Sequence, residues 1–274
     1  MFNRHAHKWL AAALLAAGAI TSGANAAVID FSNPADGTLS GSATVNGSVL
    51  QLTTATTWQD GFYTVANPSA APISSFSASF DLLIGGGTAA DGFSFNLGAN
   101  NFKTVDANPI GPDYTHAETG VQTGLAVSFD TYDNTAVGQG PDIPYQISVY
   151  YDGAVIASSG GRTLRTDSYV PVSITLDSSG DLTVTHDNGI DNTDVFTDLP
   201  IPGFTPQAGW QFILGARTGT YDDNQFVQDL DVTTNAPTVP LPRAVSSGLA
   251  VLLGLAAVCV IRRHSARRAH GTPA

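Results

Sequence analysis

From residue 42 to residue 232, apolar side chains recur largely at every second position in short runs, and clusters of Gly, Asn, Asp, Ser and Pro separate the runs. A period of two belongs to strands that bury one face, and the clusters between them supply turns. The pattern predicts strands over 42–52, 75–84, 92–97, 124–131, 145–151, 170–176, 182–185, 211–216 and 226–232. Most are rich in β-branched and aromatic residues, and no run carries a convincing helical period. Residues 173–185 read as a hairpin with Ser178, Ser179 and Gly180 at its turn. Strands without helices predict an all-β sandwich of two antiparallel sheets. Two polar passages, 99–123 and 186–206, exceed ordinary loop length, which marks functional loops inside a compact domain.

Both ends depart from this pattern. Arg4 and Lys8 precede an apolar tract over 9–20, and Ala24 and Ala26 place small residues where a leader is cut. Residues 1–26 are expected to be a secretory signal peptide, cleaved before Ala27. At the other end, residues 244–261 carry no charge, and Arg262, Arg263, Arg267 and Arg268 follow at once. That length and flank predict a transmembrane helix through the inner membrane, with a basic cytoplasmic tail over 262–274. Residues 236–243 form the linker, so the exported domain runs from 27 to 235.

Charge narrows the choice of partners. All 23 acidic residues lie in the exported domain, against four bases there, Lys103, Arg162, Arg165 and Arg217, a balance of −19. Nucleic acid and anionic membrane surfaces are therefore excluded as natural partners. Glu118 is the sole Glu, and the remaining acids are Asp, a bias that suits turns and the ligation of hard cations. The one cysteine, Cys259, falls in the apolar tail, so the exported domain has no disulfide. Core packing, and a bound ion, must hold it together.

Candidate chemistry concentrates after the run Gly124–Asp130. The strand delivers Asp130 to its end, and Tyr132 and Asn134 follow at two-residue spacing. A carboxylate and a carboxamide beside a flat ring make a calcium-organised carbohydrate site; the bland alternative is an ordinary turn. Catalysis finds no support. Glycoside hydrolysis needs a pair of carboxyl groups at a set separation, and Glu118 stands alone in a loop. His116 and His186 also lie in loops, without a nucleophile elbow or phosphate-binding loop nearby. The acidic stretch 186–194 fits no known ligand spacing and reads as a solvated loop.

The order of these segments resembles the L-type (legume) lectin family, with its concanavalin-like jelly roll. Ile29-Asp30-Phe31-Ser32, Gly41 to Val45 and Leu50 to Thr53 look like its first strands. Ala90-Asp91-Gly92-Phe93-Ser94-Phe95 is similar to its Ala-Asp-Gly-Phe strand, residues 125–134 to its metal-binding strand, and 212–219 to its closing strand and specificity loop. The resemblance implies that Asp91, after a bond often cis in the family, accepts hydrogen bonds from two sugar hydroxyls. Asn134 contacts the same sugar and also the ion, Tyr132 offers its carbonyl to the ion and its ring to the sugar, and Asp130 is the central calcium ligand. Asp142 is the best match for the remaining ligand, although three extra residues precede it. Thr218, Gly219 and Tyr221 fall in the specificity loop, where Asp222 and Asn224 could also reach hydroxyls, and Gly111 or Gly120 would complete the site. Ser128 and Gln146 stand where the family keeps Glu and His, so its second, transition-metal site is expected to be absent, leaving Ca2+ alone.

Val239-Pro240-Leu241-Pro242 with the apolar span and Arg cluster resembles the VPLPA form of the PEP-CTERM sorting signal of Gram-negative bacteria. It implies an exosortase partner, export through the inner membrane, and removal of the tail at the cell surface or in the exopolysaccharide matrix. The chain thus reads as an exported, non-enzymatic, calcium-dependent lectin for a glycan or polysaccharide. The alternatives are a structural biofilm-matrix protein with a lectin-like fold, and a glycan-cleaving enzyme.

Overall fold

The computed structural model describes residues 25–66, 71–100, 117–132 and 145–235. Residues 1–24 of the expected signal peptide, the sorting motif and the expected transmembrane helix, together with Asn134, Asp142 and Gly111, lie outside them. Among the described residues fifteen strands form: β1 (Asn25–Val28), β2 (Gly37–Gly41), β3 (Thr44–Asn46), β4 (Val49–Thr53), β5 (Asp60–Val65), β6 (Ser75–Gly85), β7 (Gly92–Gly98), β8 (Gly124–Asp130), β9 (Gln146–Tyr151), β10 (Ala154–Ser159), β11 (Val170–Leu176), β12 (Asp181–His186), β13 (Asp194–Pro200), β14 (Gln211–Arg217) and β15 (Asn224–Asn235). Among the described residues there is no helix.

The strands make two antiparallel sheets, as the period of two predicts. A back sheet runs β13-β12-β11-β6-β15-β4-β3, with β1 paired along the far end of β15; a front sheet runs β10-β9-β8-β7-β14-β5-β2. The predicted hairpin is β11–β12, where Asp177 Oδ1 accepts the Ser179 and Asp181 N–H groups and Gly180 takes φ +89°. Residues 42–52 form two strands rather than the single one expected. Gly47, at φ +63°, lets the chain reverse between β3 and β4, a conformation open to glycine at little cost.

Between the sheets lies one apolar core. Phe93, Phe95 and Leu97 point into it from β7, and the rings of Phe93 and Phe95 meet those of Phe80 and Phe76 of the back sheet with centroids 5.7–6.0 Å apart. The opposite face of the front sheet is polar in sequence yet buried in the fold, because segment 117–121 lies across it. Ser94 donates to the Ala117 carbonyl, Ser128 to that of Glu118, and Asn96 Oδ1 accepts the Val121 N–H at 2.9 Å. Ser94, Ser128 and Asn96 thereby find partners, as burial requires. Both β7 and β8 are consequently buried along their whole length.

Candidate functional site

Strand register places the candidate chemistry in one row at one end of the front sheet. Asp60 of β5 pairs with Arg217 of β14, Arg217 with Gly92 of β7, Gly92 with Asp130 of β8, and Asp130 with Gln146 of β9. Directly paired residues share a face, so these side chains lie side by side on the polar face of the sheet. Gly92 is required at its centre: a Cβ there would stand 2.3 Å from the Phe129 carbonyl oxygen.

Asp91 precedes this row on the β6–β7 loop, and the peptide bond Ala90–Asp91 is cis. Its N–H donates to the Arg217 carbonyl at 2.9 Å. Its own carbonyl accepts both the Thr131 N–H at 2.9 Å and the Thr131 hydroxyl at 3.1 Å. The β6–β7 and β8–β9 loops are therefore latched together beside Asp130. Below the Asp91 carboxylate lies Arg217, a residue that sequence reasoning quoted in a motif without giving it a role. Its guanidinium lies 3.2 Å from Glu118 Oε1, 3.5 Å from Asp91 Oδ2 and 3.8 Å from Asp60 Oδ1. Burial alone would lower its pKa, but the pull of Glu118, Asp91 and Asp60 outweighs that and raises it. The signal that could have found Arg217 is scarcity, since residues 27–235 hold four bases against 23 acids.

The β14–β15 loop closes over this carboxylate. A Cβ at Gly219 would stand 3.1 Å from Asp91 Oδ2, so any side chain there would crowd the acid. Two residues on, Tyr221 is 46% exposed, and its ring packs on that of Tyr132 with centroids 5.4 Å apart at 33°. The structure thus brings Asp91, Gly219, Tyr132 and Tyr221 together from three loops.

Other members of the β14–β15 loop are engaged within the fold. Thr218 is buried; its hydroxyl donates to the Thr56 carbonyl at 2.7 Å and accepts the Gln59 N–H at 2.9 Å, so its side chain is engaged within the fold. Asp222 Oδ1 accepts from the N–H and hydroxyl of Thr88. Asn224 bonds Ala55 and Gly85 of the main chain. Asp223 is fully buried against Arg165, at 2.7 Å from Nε, and also accepts the Gly87 N–H. Together they fix the loop that presents Gly219 and Tyr221. Gly120 does not complete the site. It packs over Asn96 and Ala126, four residues along the strands from Gly92, or about 13 Å at strand rise.

The described share of the expected calcium ligands is Asp130 and the Tyr132 carbonyl. Asp130 Oδ1 accepts the Tyr132 N–H at 2.9 Å, which turns the chain at the strand end. Among the described residues no three His, Cys, Asp or Glu side chains are grouped to hold a metal. The donor chemistry nonetheless fits a hard cation. Arg217 lies within 3.2–3.8 Å of Glu118, Asp91 and Asp60, and Asp130 stands in the same row, so several carboxylate oxygens gather at this end of the sheet. Ser128 donates to a carbonyl and Gln146 carries no charge, so neither offers the imidazole and carboxylate that a transition metal prefers. In the 186–194 loop, Asp191 receives the Thr163 N–H and the Asn188 amide, and Arg162 bonds the Asn192 carbonyl. These polar groups hold the loop to the body of the domain, so it is more than a solvated turn.

No family model matches the chain, and no curated protein matches it. Solved structures do. The exoplasmic/lumenal domain of VIP36 with Ca2+ and Man2 bound aligns at TM-score 0.58 and 18% identity, over 80% of this chain and 90% of that one. Lectin II from Ulex europaeus aligns at TM-score 0.58 and 18% identity, over 77% and 98%. The carbohydrate recognition domain of Emp46p, in metal-free form, aligns at TM-score 0.51 and 13% identity, over 72% and 87%. These neighbours are jelly-roll domains of the L-type lectin kind and not enzymes; at such identities the likeness extends to the fold.

Proposed function

We propose that the exported domain binds a glycan in the cleft formed by Asp91, Gly219, Tyr132 and Tyr221, without chemical conversion. The observation that carries this reading is the convergence of a buried, Arg-backed carboxylate, a glycine packed directly against it, and a pair of partly exposed rings. An ionised carboxylate accepts several hydrogen bonds at once, and hydrogen bonds to charged groups are the stronger kind. Tyrosine rings offer an apolar face to the C–H side of a sugar while their hydroxyls stay wet. The solved neighbours support the reading: VIP36 was crystallised with Man2 and the lectin UEA-II with galactose.

Calcium enters the proposal as the element that orders the β8–β9 loop. Asp130, the Tyr132 carbonyl, Asn134 and Asp142 would hold it, and the ion would supply charge compensation for the acidic row and rigidity for Tyr132. Individual sugar contacts in so shallow a site are weak, so display of many copies on a cell surface or in a polysaccharide matrix would raise avidity. The sorting-signal resemblance and the basic tail support that location, with an exosortase as processing partner. Glycan-array binding by the full chain in detergent tests the reading. Signals in calcium that disappear with chelator and with Asp91→Ala are expected; an array that stays blank in calcium, or signals indifferent to Asp91→Ala, sinks it.

A further inference from the structure

We propose that Trp58 is a second aromatic platform of the same cleft, so that the site takes a saccharide of two or more residues instead of a single sugar. This inference rests on the glycan-binding reading above. Trp58 is 57% exposed on the β4–β5 loop, whereas Trp210 is 6% exposed in the core. Large aromatics bury more apolar area than any other side chain, so one left in water at the rim of a cleft is poised for a ligand.

Its backbone makes the same point. Trp58 has φ +62°, a left-handed conformation that a bulky residue seldom adopts and that glycine or asparagine would hold at lower cost. Such residues persist where the surroundings enforce them, and they gather at ligand clamps. Here the enforcing contacts come from the β14–β15 loop itself. The Trp58 N–H donates to the Gly219 carbonyl at 3.0 Å, Thr218 N–H donates to the Gln59 carbonyl at 2.8 Å, and Ala55 N–H donates to Asn224 Oδ1 at 2.9 Å. Thr54 N–H is held by Gln59 Oε1 at 2.7 Å. The β4–β5 loop is therefore an extension of the loop that carries Gly219 and Tyr221.

Position completes the argument. Gly219 borders the Asp91 carboxylate and is hydrogen-bonded to Trp58, while Tyr221 follows it two residues along. A first sugar seated on Asp91 and the tyrosine pair has its neighbour in the glycan within reach of the indole.

The test compares wild type, Trp58→Asn, Trp58→Phe and Asp91→Ala as full-length chains in detergent with calcium. Calorimetric titrations use mannose, glucose and galactose and the di- and trisaccharides of each. Trp58→Asn is expected to weaken the longer sugars about 10-fold, the usual cost of truncating an aromatic anchor, and the monosaccharides less than about 2-fold. Its Tm should hold or rise, because asparagine suits the left-handed backbone, and Trp58→Phe should keep most of the affinity. Equal weakening at every length, no weakening, or a fall in Tm that tracks the loss overturns the inference. Sugar binding that survives Asp91→Ala, or a wild type that binds none of the sugars, overturns the glycan reading itself and this inference with it.

Discussion

Arg217 Nε lies 3.5 Å from Asp91 Oδ2, and the same guanidinium reaches Glu118 Oε1 at 3.2 Å, so one buried cation sits against both Asp91 and the only glutamate of the chain. Removing one side of a buried ion pair leaves the other without compensation, at a cost of about 3–5 kcal/mol. Arg217→Gln should therefore lower unfolding free energy by about that amount in urea titrations. Adding Glu118→Gln should return part of the loss, because it withdraws one of the stranded charges. An Arg217→Gln protein as stable as wild type would show that these acids do not depend on the arginine.

Gly219→Ala separates access from architecture. Gly219 does not sit in the left-handed region, so alanine suits the backbone, but the added methyl would stand 3.1 Å from Asp91 Oδ2. The variant should fold with a Tm close to wild type and lose sugar affinity about 10-fold, as expected when a ligand is denied a charge-assisted hydrogen bond. Undiminished glycan binding would mean that the ligand does not approach Asp91 from this side.

Much of this fold could be read from alternation alone, because strands with one buried face must alternate. The strands that escaped are instructive. β2 and β13 lie at sheet edges with most positions exposed, and β10, also at an edge, is at most half-buried. None of their positions is fully buried, and only a few side chains, such as Ile156, Phe196 and Leu199, pack part-buried on the core, so the period of two is faint. β5 lies inside the front sheet and is buried on both faces for much of its length, so its pattern is continuous instead of alternating. The site divides in the same way. Asp91 and Tyr132 were legible because their motifs are local in sequence. Arg217, Trp58 and the burial of Thr218 depend on contacts across more than ninety residues, which only the sheet order reveals.

Calcium should stabilise the domain if it clamps the bend after Asp130. A ligand that binds only the folded state adds about 2.7 kcal/mol at one hundred times its dissociation constant. Chelation should then lower Tm by several degrees, and Asp130→Ala and Asn134→Ala should abolish the calcium-dependent part of the shift. Identical melting curves with calcium and with chelator would remove the ion from the account.

Acid should weaken the fold through His186, whose imidazole is 1% exposed and packs on Phe129 with ring centroids 6.0 Å apart. Among the described residues its Nδ1 has no hydrogen-bond partner. Burial first, and the positive charge of Arg162 second, lower its pKa from 6.5 to about 4, while Asp191 and Asp187 pull weakly the other way. The sign follows directly. Above pH 6.5 the side chain is neutral in both states and the full stability is present; as pH falls, the unfolded chain takes up the proton first, and stability drains away until the folded protein also protonates near pH 4. A shift of this size corresponds to about 3 kcal/mol between those limits. Urea unfolding measured from pH 7 to pH 4 should show that loss, and His186→Gln, which cannot charge, should flatten the profile across the window. A profile that keeps its slope in His186→Gln would assign the acid sensitivity to the carboxylates instead.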